Sequence, residues 1–86
     1  MSAEAAALRR LGIDVSRLVA CLSHLATPEA MARRGVAQRV RQLARRCDRV
    51  RVELHAVCQQ VDAPEGTRRA LVTLDRQLDV LLARTR

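Results

Sequence analysis

Apolar side chains recur along the middle of the chain at alternating intervals of four and three residues. The repeat continues without a break over Val36, Val40, Leu43, Cys47, Val50, Leu54, Val57 and Val61. A heptad repeat of this kind is typical of a helix that packs against other helices along its whole length. The pattern therefore predicts one long helix in the middle of the chain that needs helical neighbours.

Shorter repeats of the same kind lie on both sides of the long one. The first contains Leu8, Leu11, Val15, Leu18, Leu22 and Leu25, and the last contains Leu71, Leu74, Leu78 and Leu81. Thr27 and Pro28 suit a helix cap and the first helical position, and Pro64 marks a second break before the final repeat. Gly35 falls inside the long helix at a cost of about 1 kcal/mol relative to alanine, and the helix can kink there.

These elements predict an all-α fold with a single domain over residues 1–86. The expected architecture is an antiparallel three-helix bundle, similar to a coiled coil, with helices at about 3–25, 28–61 and 64–84 and the longest in the middle. Because both connections are short, each outer helix should fold back along the long one. The first would overlap residues 28 to about 50, and the last about 40 to 61. Apolar positions near both ends of the long helix would then be incompletely covered.

Incomplete cover predicts association, because exposed apolar surface of this kind usually marks an interaction site. The partner is expected to be a second copy of the chain or another helical protein, and a partner with an acidic surface is one alternative. The candidate interface residues are apolar positions of the long helix together with one isoleucine of the first helix: Val36, Val40, Val52, Leu54, Val57, Val61 and Ile13.

Composition strengthens the expectation of association. The chain has 86 residues and no Phe, Tyr or Trp, so Leu, Val and Ala must supply the core. Domains this small bury a modest fraction of their surface and are often stabilised by oligomerisation.

Positive charge is concentrated on the same long helix. All 16 basic residues are arginines, and the formal net charge of the chain is +7. Residues 33–51 contain eight arginines and one acid, whereas arginines and acids balance in the rest of the chain. The candidate basic face consists of Arg34, Arg41, Arg45, Arg46 and Arg49.

A basic face suits either an acidic protein surface or the phosphates of a nucleic acid. Nucleic-acid binding is the alternative function and not the preferred one, because the chain has no aromatic side chain to stack on bases. The arginines also spread around much of the helix. The use of Arg, Ala and Val in place of Lys, Asn and Phe suggests a GC-rich genome, which by itself raises the arginine content.

Candidate catalytic or metal-binding groups are few. Cys21 with His24, and His55 with Cys58, are spaced so that each pair shares one side of a helix. Together they supply the ligands of a Cys2His2 zinc site, but within one chain the two pairs should lie far apart. No third group orients a Cys–His pair for nucleophilic catalysis. We therefore expect a protein that is not an enzyme and has no cofactor or metal.

Cysteine usage and hydropathy suggest where the protein works. An odd number of cysteines without a C-x-x-C pair fits a reducing compartment. No segment is long and uncharged enough to span a membrane, and the basic helix lacks the bulky aromatic face that favours a membrane surface. The expected location is the cytoplasm, or the nucleus if the host has one.

The function that these patterns favour is a non-enzymatic helical protein–protein interaction module, either self-associating or a small subunit or adaptor of a larger coiled-coil assembly. A further alternative comes from residues 33–86, where a turn containing Pro64 and Glu65 precedes a leucine-rich final helix. This arrangement resembles the helical-hairpin co-chaperones of type III secretion systems. The resemblance implies a small helical secretion-type co-chaperone, to which the first helix would be an addition.

Overall fold

Helices account for nearly all of the structure. The computed structural model describes residues 3–85, in which α1 spans Ala3–Leu25, α2 Pro28–Met31, α3 Val36–Gln60 and α4 Glu65–Arg84. No strand occurs in that part of the chain, and the prediction of an all-α helical bundle is confirmed. The bundle is elongated, with extents of 45 × 18 × 17 Å.

The long middle helix is interrupted, so the prediction of one continuous helix over 28–61 was wrong at residues 32–35. Thr27 caps α2, because its hydroxyl accepts a hydrogen bond from the backbone N–H of Ala30 at 3.2 Å. A turn follows, and Gly35 at its end has a φ of +82°. Glycine adopts this left-handed conformation at little cost, whereas a side chain would strain it. The chain therefore ends one helix and begins another where a simple kink was expected.

Two helices far apart in sequence, α1 and α4, lie side by side and parallel. A Cβ atom placed on Gly12 of α1 would be 3.6 Å from Cδ2 of Leu71 near the start of α4. Further along, Arg84 Nη1 donates a hydrogen bond to the backbone oxygen of Ser23 at 2.7 Å. Since α3 connects to α4 by a short turn and runs back along it, the three long helices alternate in direction.

This side-by-side arrangement contradicts the expected stagger of the outer helices. Arg41 near the start of α3 reaches the end of α4, since its Nε donates to the backbone oxygen of Thr85 at 2.6 Å. Toward the other end of α3, Val57 shares a groove with Glu4 of α1. Both outer helices thus accompany most of α3. The physical reason is the break at 32–35. A continuous helix from residue 28 would have been longer than α1 and would have extended past it, whereas α3 begins only at Val36.

The core is centred on α4. Its four leucines are at most 1% exposed, in agreement with the predicted apolar row of the last helix: Leu71, Leu74, Leu78 and Leu81. The contact of α4 with α1 is more extensive than its contact with α3. Leu8 and Leu22 enter the core from α1, and Val40 and Leu54 enter it from α3. Removal of this apolar surface from water is the main stabilising contribution, at about 25 cal/mol per Å².

Both α1 and α3 face this core with a set of residues that differs in part from the expected one. A buried row of α1 repeats every seven residues and consists of Ala5, Gly12, Val19 and Ala26. The corresponding row of α3 includes the buried Ala44 and Cys58 and the half-buried Arg51. Each helix is therefore rotated about its axis relative to the prediction, and only two of the six predicted apolar positions of α1 and three of the eight of the long helix are buried.

Two glycine-to-alanine substitutions should have opposite effects on stability. We expect Gly12→Ala to raise the free energy of unfolding by about 0.5–1 kcal/mol, because alanine favours a helix and its methyl group would make an ordinary contact with Leu71. We expect Gly35→Ala to lower it by about 1–2 kcal/mol, since alanine is strained at positive φ. Urea unfolding followed by circular dichroism measures both changes. A destabilised Gly12→Ala variant would contradict the packing of α1 on α4.

Candidate functional site

The most distinctive surface of the protein consists of two apolar rows that the core leaves uncovered. The first runs along α1 and contains Leu11, Leu18 and Leu25, which are 47%, 49% and 59% exposed. The second runs along α3, where Leu43 and Val57 are each 40% exposed and Val50 between them is half-buried. Members of each row are seven residues apart, so they lie on one side of their helix.

Leu11 of the first row and Val50 and Val57 of the second line one groove, which we infer continues between the two rows and which we call the α1–α3 groove. The part of it near the start of α1 encloses about 380 Å³ and is lined by Glu4, Ala7, Leu8, Leu11, Val50, Glu53, Leu54 and Val57. Because α1 and α3 are antiparallel, the next step along each row places Leu18 near Leu43, and a further step places Leu25 near Val36. At 1.5 Å per residue, each uncovered row is about 21 Å long.

Most of the predicted interface residues lie outside this groove. Val40 and Leu54 are buried in the core of the chain. Their assignment to an interface is corrected, because these two residues belong to the row of α3 that α1 and α4 already cover, and Leu54 contributes only to the floor of the groove. Val36 and Val61 are half-buried and pack against the core.

The remaining predicted interface residues divide between two surfaces. Val57 lies in the groove as expected. Val52 is exposed but is not among the groove residues. Ile13 is half-buried in a shallow depression that it shares with Arg10 and Arg17. Of the seven predicted residues, Val57 and the buried Leu54 therefore line the groove, together with leucines that the sequence had suggested for the core.

The predicted basic face is spread over three places. Arg34 lies in the turn before α3. Arg41 binds the end of α4 through the backbone oxygen of Thr85, and Arg45 shares a surface depression with both residues. A cation beside the last carbonyl groups of a helix is stabilising, because it complements the negative end of the helix dipole. Arg41 thus has a structural contact in addition to its charge.

Arg46 and Arg49 are also exposed, and because they are three residues apart on α3 they are neighbours on its surface. Arg46 follows Leu43 by three residues and precedes Val50 by four, so it borders the groove. Arg49 lies further from the groove than Arg46 does and is exposed to solvent. Neither of them forms an ion pair with another residue of the described range 3–85.

A polar cluster joins α3 to α4 on a different side of the bundle. Arg51 donates to Asp48 through Nε at 3.0 Å and to Asp75 through Nη1 at 3.4 Å. The hydrogen bond to Asp48, followed by that to Asp75, raises the pKa of Arg51 against the opposing effect of burial. His55 contacts the same Asp75 carboxylate, with 2.9 Å between Nε2 and Oδ1. In this cluster the two carboxylates neutralise the charge of the half-buried Arg51. We infer that the cluster has a structural role and holds α3 against α4.

The geometry gives no support to a zinc site within one chain. Cys21 and His24 lie at the end of α1 beside Ser23, which binds Arg84. His55 and Cys58 line a small pocket near the start of α4, at the opposite end of the bundle. Among residues 3–85 no three His, Cys, Asp or Glu side chains are grouped so that they could hold a metal ion.

The hydropathy of the helices adds one further finding. Within residues 3–85, no helix is both long enough and apolar enough to cross a membrane.

The groove leucines could have been found from the sequence by one signal. In α1 the rows Leu11–Leu18–Leu25 and Gly12–Val19–Ala26 run next to each other at the same interval of seven. The second row is made mainly of small residues, which allow two helices to approach closely. Two adjacent apolar rows on one helix indicate two contact faces, and the row of small residues is the better candidate for the tightly packed one.

Thiol reactivity offers a test of this arrangement. We expect one thiol, that of the exposed Cys21, to react with Ellman's reagent in the native protein, and three to react after unfolding in urea. Burial raises the pKa of the Cys47 thiol, so the reactive thiolate is scarce there near neutral pH. Cys58 is also buried and should react only when the helices separate. Rapid reaction of all three thiols at low urea would contradict the packing of α3.

In comparisons with protein-family models, with curated proteins and with solved structures, no match to this chain was found. The case for a function therefore depends on the arrangement of the chain's own side chains, above all on the α1–α3 groove.

Proposed function

We propose that this protein is a non-enzymatic helical interaction module, either self-associating or a small subunit of a larger coiled-coil assembly, and that its contact surface is the α1–α3 groove. The observation that carries the proposal is the exposure of five apolar side chains in the two rows, Leu11, Leu18, Leu25, Leu43 and Val57; Val50, between the last two, is half-buried. Leucine and valine gain roughly 1.5–3 kcal/mol each when they are fully buried. A surface that removes these rows from water would therefore bind with a substantial apolar contribution.

The spacing of the rows favours a helical partner. Both rows repeat every seven residues on straight neighbouring helices, so a partner helix with the same repeat can contact every member of a row. An extended strand has a side-chain period of two and cannot match this spacing over about 21 Å. The flat, open form of the groove also suits a helix better than a small molecule, which usually needs a more enclosed site.

The test compares two double variants in solution. We expect the wild-type protein to show a molecular mass and a melting temperature that rise with concentration, as measured by light scattering and circular dichroism. Leu18→Gln with Leu43→Gln should abolish both dependences, because it places polar groups in the groove. Val72→Gln with Val80→Gln is the matched control, since these valines of α4 are equally exposed but lie outside the groove. The control should behave as the wild type does.

A compact wild-type monomer with no concentration dependence would exclude self-association but leave a different helical partner. In that case the immobilised wild-type and control proteins should capture the same partner from the host, and the groove variant should not. If neither self-association nor groove-dependent capture is observed, the proposed function is wrong.

Nucleic-acid binding is the second candidate, and one observation favours it. Arg34, Arg45 and Arg49 are exposed, and none of them forms an ion pair with another residue between 3 and 85. Free arginines of this kind can bind phosphates and release counterions. The groove is the stronger basis for a function, because arginine content also follows genome composition whereas the two matched apolar rows do not.

The salt dependence of DNA binding tests whether these arginines bind nucleic acid. If the arginines bind nucleic acid, the affinity for duplex or single-stranded DNA should fall steeply between 50 and 200 mM salt. Arg45→Glu with Arg49→Glu should then weaken binding, whereas Arg69→Glu, which removes a residue already paired with Glu65, should weaken it less. Because we favour the groove, we expect no binding to either nucleic acid at 50 mM salt, measured by fluorescence anisotropy. Tight, salt-sensitive binding would reverse that preference.

A further inference from the structure

The edges of the α1–α3 groove carry charges of both signs. On α1 the exposed residues next to the apolar row are Ala7, Asp14 and Cys21, and on α3 they are Arg39, Arg46 and Glu53. Glu4 stands at one end of the groove beside Glu53. Three acids and two arginines therefore surround the groove, although the chain as a whole carries a net charge of +7.

None of these edge charges is used inside the chain. Glu4, Asp14, Glu53, Arg39 and Arg46 form no side-chain hydrogen bond or ion pair with any residue that the structure describes between 3 and 85. Asp48, Asp62, Glu65 and Asp75 are paired with arginines, whereas Glu29 and Asp79 outside the groove also form no ion pair within residues 3–85. Groove edges that carry unpaired charges of both signs suit a partner that has charges of both signs at the same spacing. A uniformly acidic or basic partner would meet repulsion along part of these edges.

A second copy of the chain has such edges, and the positions of the charges along the bundle axis match between the two copies. Asp14 lies between Leu11 and Leu18 on α1, and Arg46 lies between Leu43 and Val50 on α3. Because Leu11 is level with Val50 and Leu18 with Leu43, these two charges are level with each other on opposite edges of the groove. The same reasoning places Ala7 level with Glu53, and Cys21 level with Arg39.

We propose that a second copy of this chain covers the groove about a two-fold axis parallel to the helices, so that each α1 packs on α3 of the other copy. This proposal rests on the proposed function and specifies its partner. The rotation keeps every residue at its height and exchanges the two edges. Asp14 of each copy then faces Arg46 of the second copy, which gives two equivalent ion pairs around four packed helices. Every neighbouring pair of these helices is antiparallel, which also suits their dipoles.

The other face-to-face arrangement fits the charges less well. A two-fold axis perpendicular to the helices would pack α1 on α1 and α3 on α3. According to register, Arg46 would then face Arg39, Arg46 or Glu53 of the second copy, and Asp14 would face no arginine. The register that brings Arg46 to Glu53 shifts the copies along their axes, so that Leu25 would lie beyond Ala3 of α1 of the second copy and stay uncovered. The other two registers bring arginines together. Like charges in contact across an interface are unfavourable. The parallel axis is therefore the arrangement that the edge charges favour.

Charge reversal tests the orientation. Sedimentation equilibrium at low salt would measure the dimer dissociation constant of the wild type, Arg46→Glu, Asp14→Arg and the double variant. Each single reversal creates two like-charge contacts and should raise the constant about tenfold, whereas the double variant recreates the pairs with their signs exchanged and should restore most of the affinity. Arg76→Glu and Asp79→Arg are matched controls, because they make the same charge changes at exposed positions of α4, away from the groove edges. Circular dichroism would confirm that each variant is folded.

Disulfide trapping provides an independent test. Cys21 should face Arg39 of the second copy, so Arg39→Cys treated with copper phenanthroline in air should give a covalent dimer through Cys21. Ala7→Cys should not, because Ala7 faces Glu53 of the second copy. With the perpendicular axis Arg39→Cys should give no dimer through Cys21, and Ala7→Cys should give one in the register that is centred on Asp14. A disulfide formed within one chain would run as a monomer on a non-reducing gel and is readily distinguished.

The outcomes separate this inference from the proposed function. A wild-type protein that stays monomeric at all concentrations overturns the inference, and the function then depends on groove-dependent capture of another helical protein. Self-association that requires Leu18 and Leu43 but is unaffected or strengthened by Arg46→Glu supports the function and overturns the orientation. Self-association that persists in the Leu18→Gln with Leu43→Gln variant overturns both.

Discussion

The rest of the structure depends on the burial of one apolar face of α4 against α1. Four leucines of α4 are almost inaccessible, and the small side chains of α1 allow the two parallel helices to approach closely. α3 then packs across both of them, and the polar cluster of Arg51, His55 and Asp75 fixes it to α4. Because α4 takes the row of small residues on α1, the adjacent row of leucines is left facing α3 and solvent.

α1 thus has two adjacent apolar rows, one packed on α4 and the other partly exposed. This explains why the sequence predicts the helices better than the contacts between them. The class of fold, the extent of α1 and the buried leucines of α4 all follow from spacing and from helix caps. The rotation of α1 and α3 does not follow, because Leu18 is a larger apolar residue than Val19 and would be the first choice for the core. What decides the rotation is the fit of Gly12 and its neighbours against Leu71, which is a property of two helices together.

The break before α3 was missed for a related reason. Helix propensity treats Gly35 as a modest local cost, and a single glycine within 34 helical positions does not by itself end a helix. The conformation of Gly35 is left-handed, and that conformation allows α1 to lie level with α3 instead of ending beside residue 28. Most residues of the candidate site therefore could not be predicted from the sequence. Of the residues first suggested for an interface, Val57 lies in the groove, whereas Leu11, Leu18 and Leu43 had been suggested as core residues.

The parallel contact of α1 with α4 has a consequence for how the protein is made. It joins residues such as Ser16 and Gln77, or Ser23 and Arg84, that are 61 positions apart in the chain. During synthesis α1, α2 and α3 leave the ribosome before the helix on which they pack exists, so the native core cannot close until α4 has been synthesised. Until then α1 exposes both of its apolar rows, and the groove does not yet exist as a defined surface. The folded geometry and the ability to assemble are thus acquired together, when α4 becomes available.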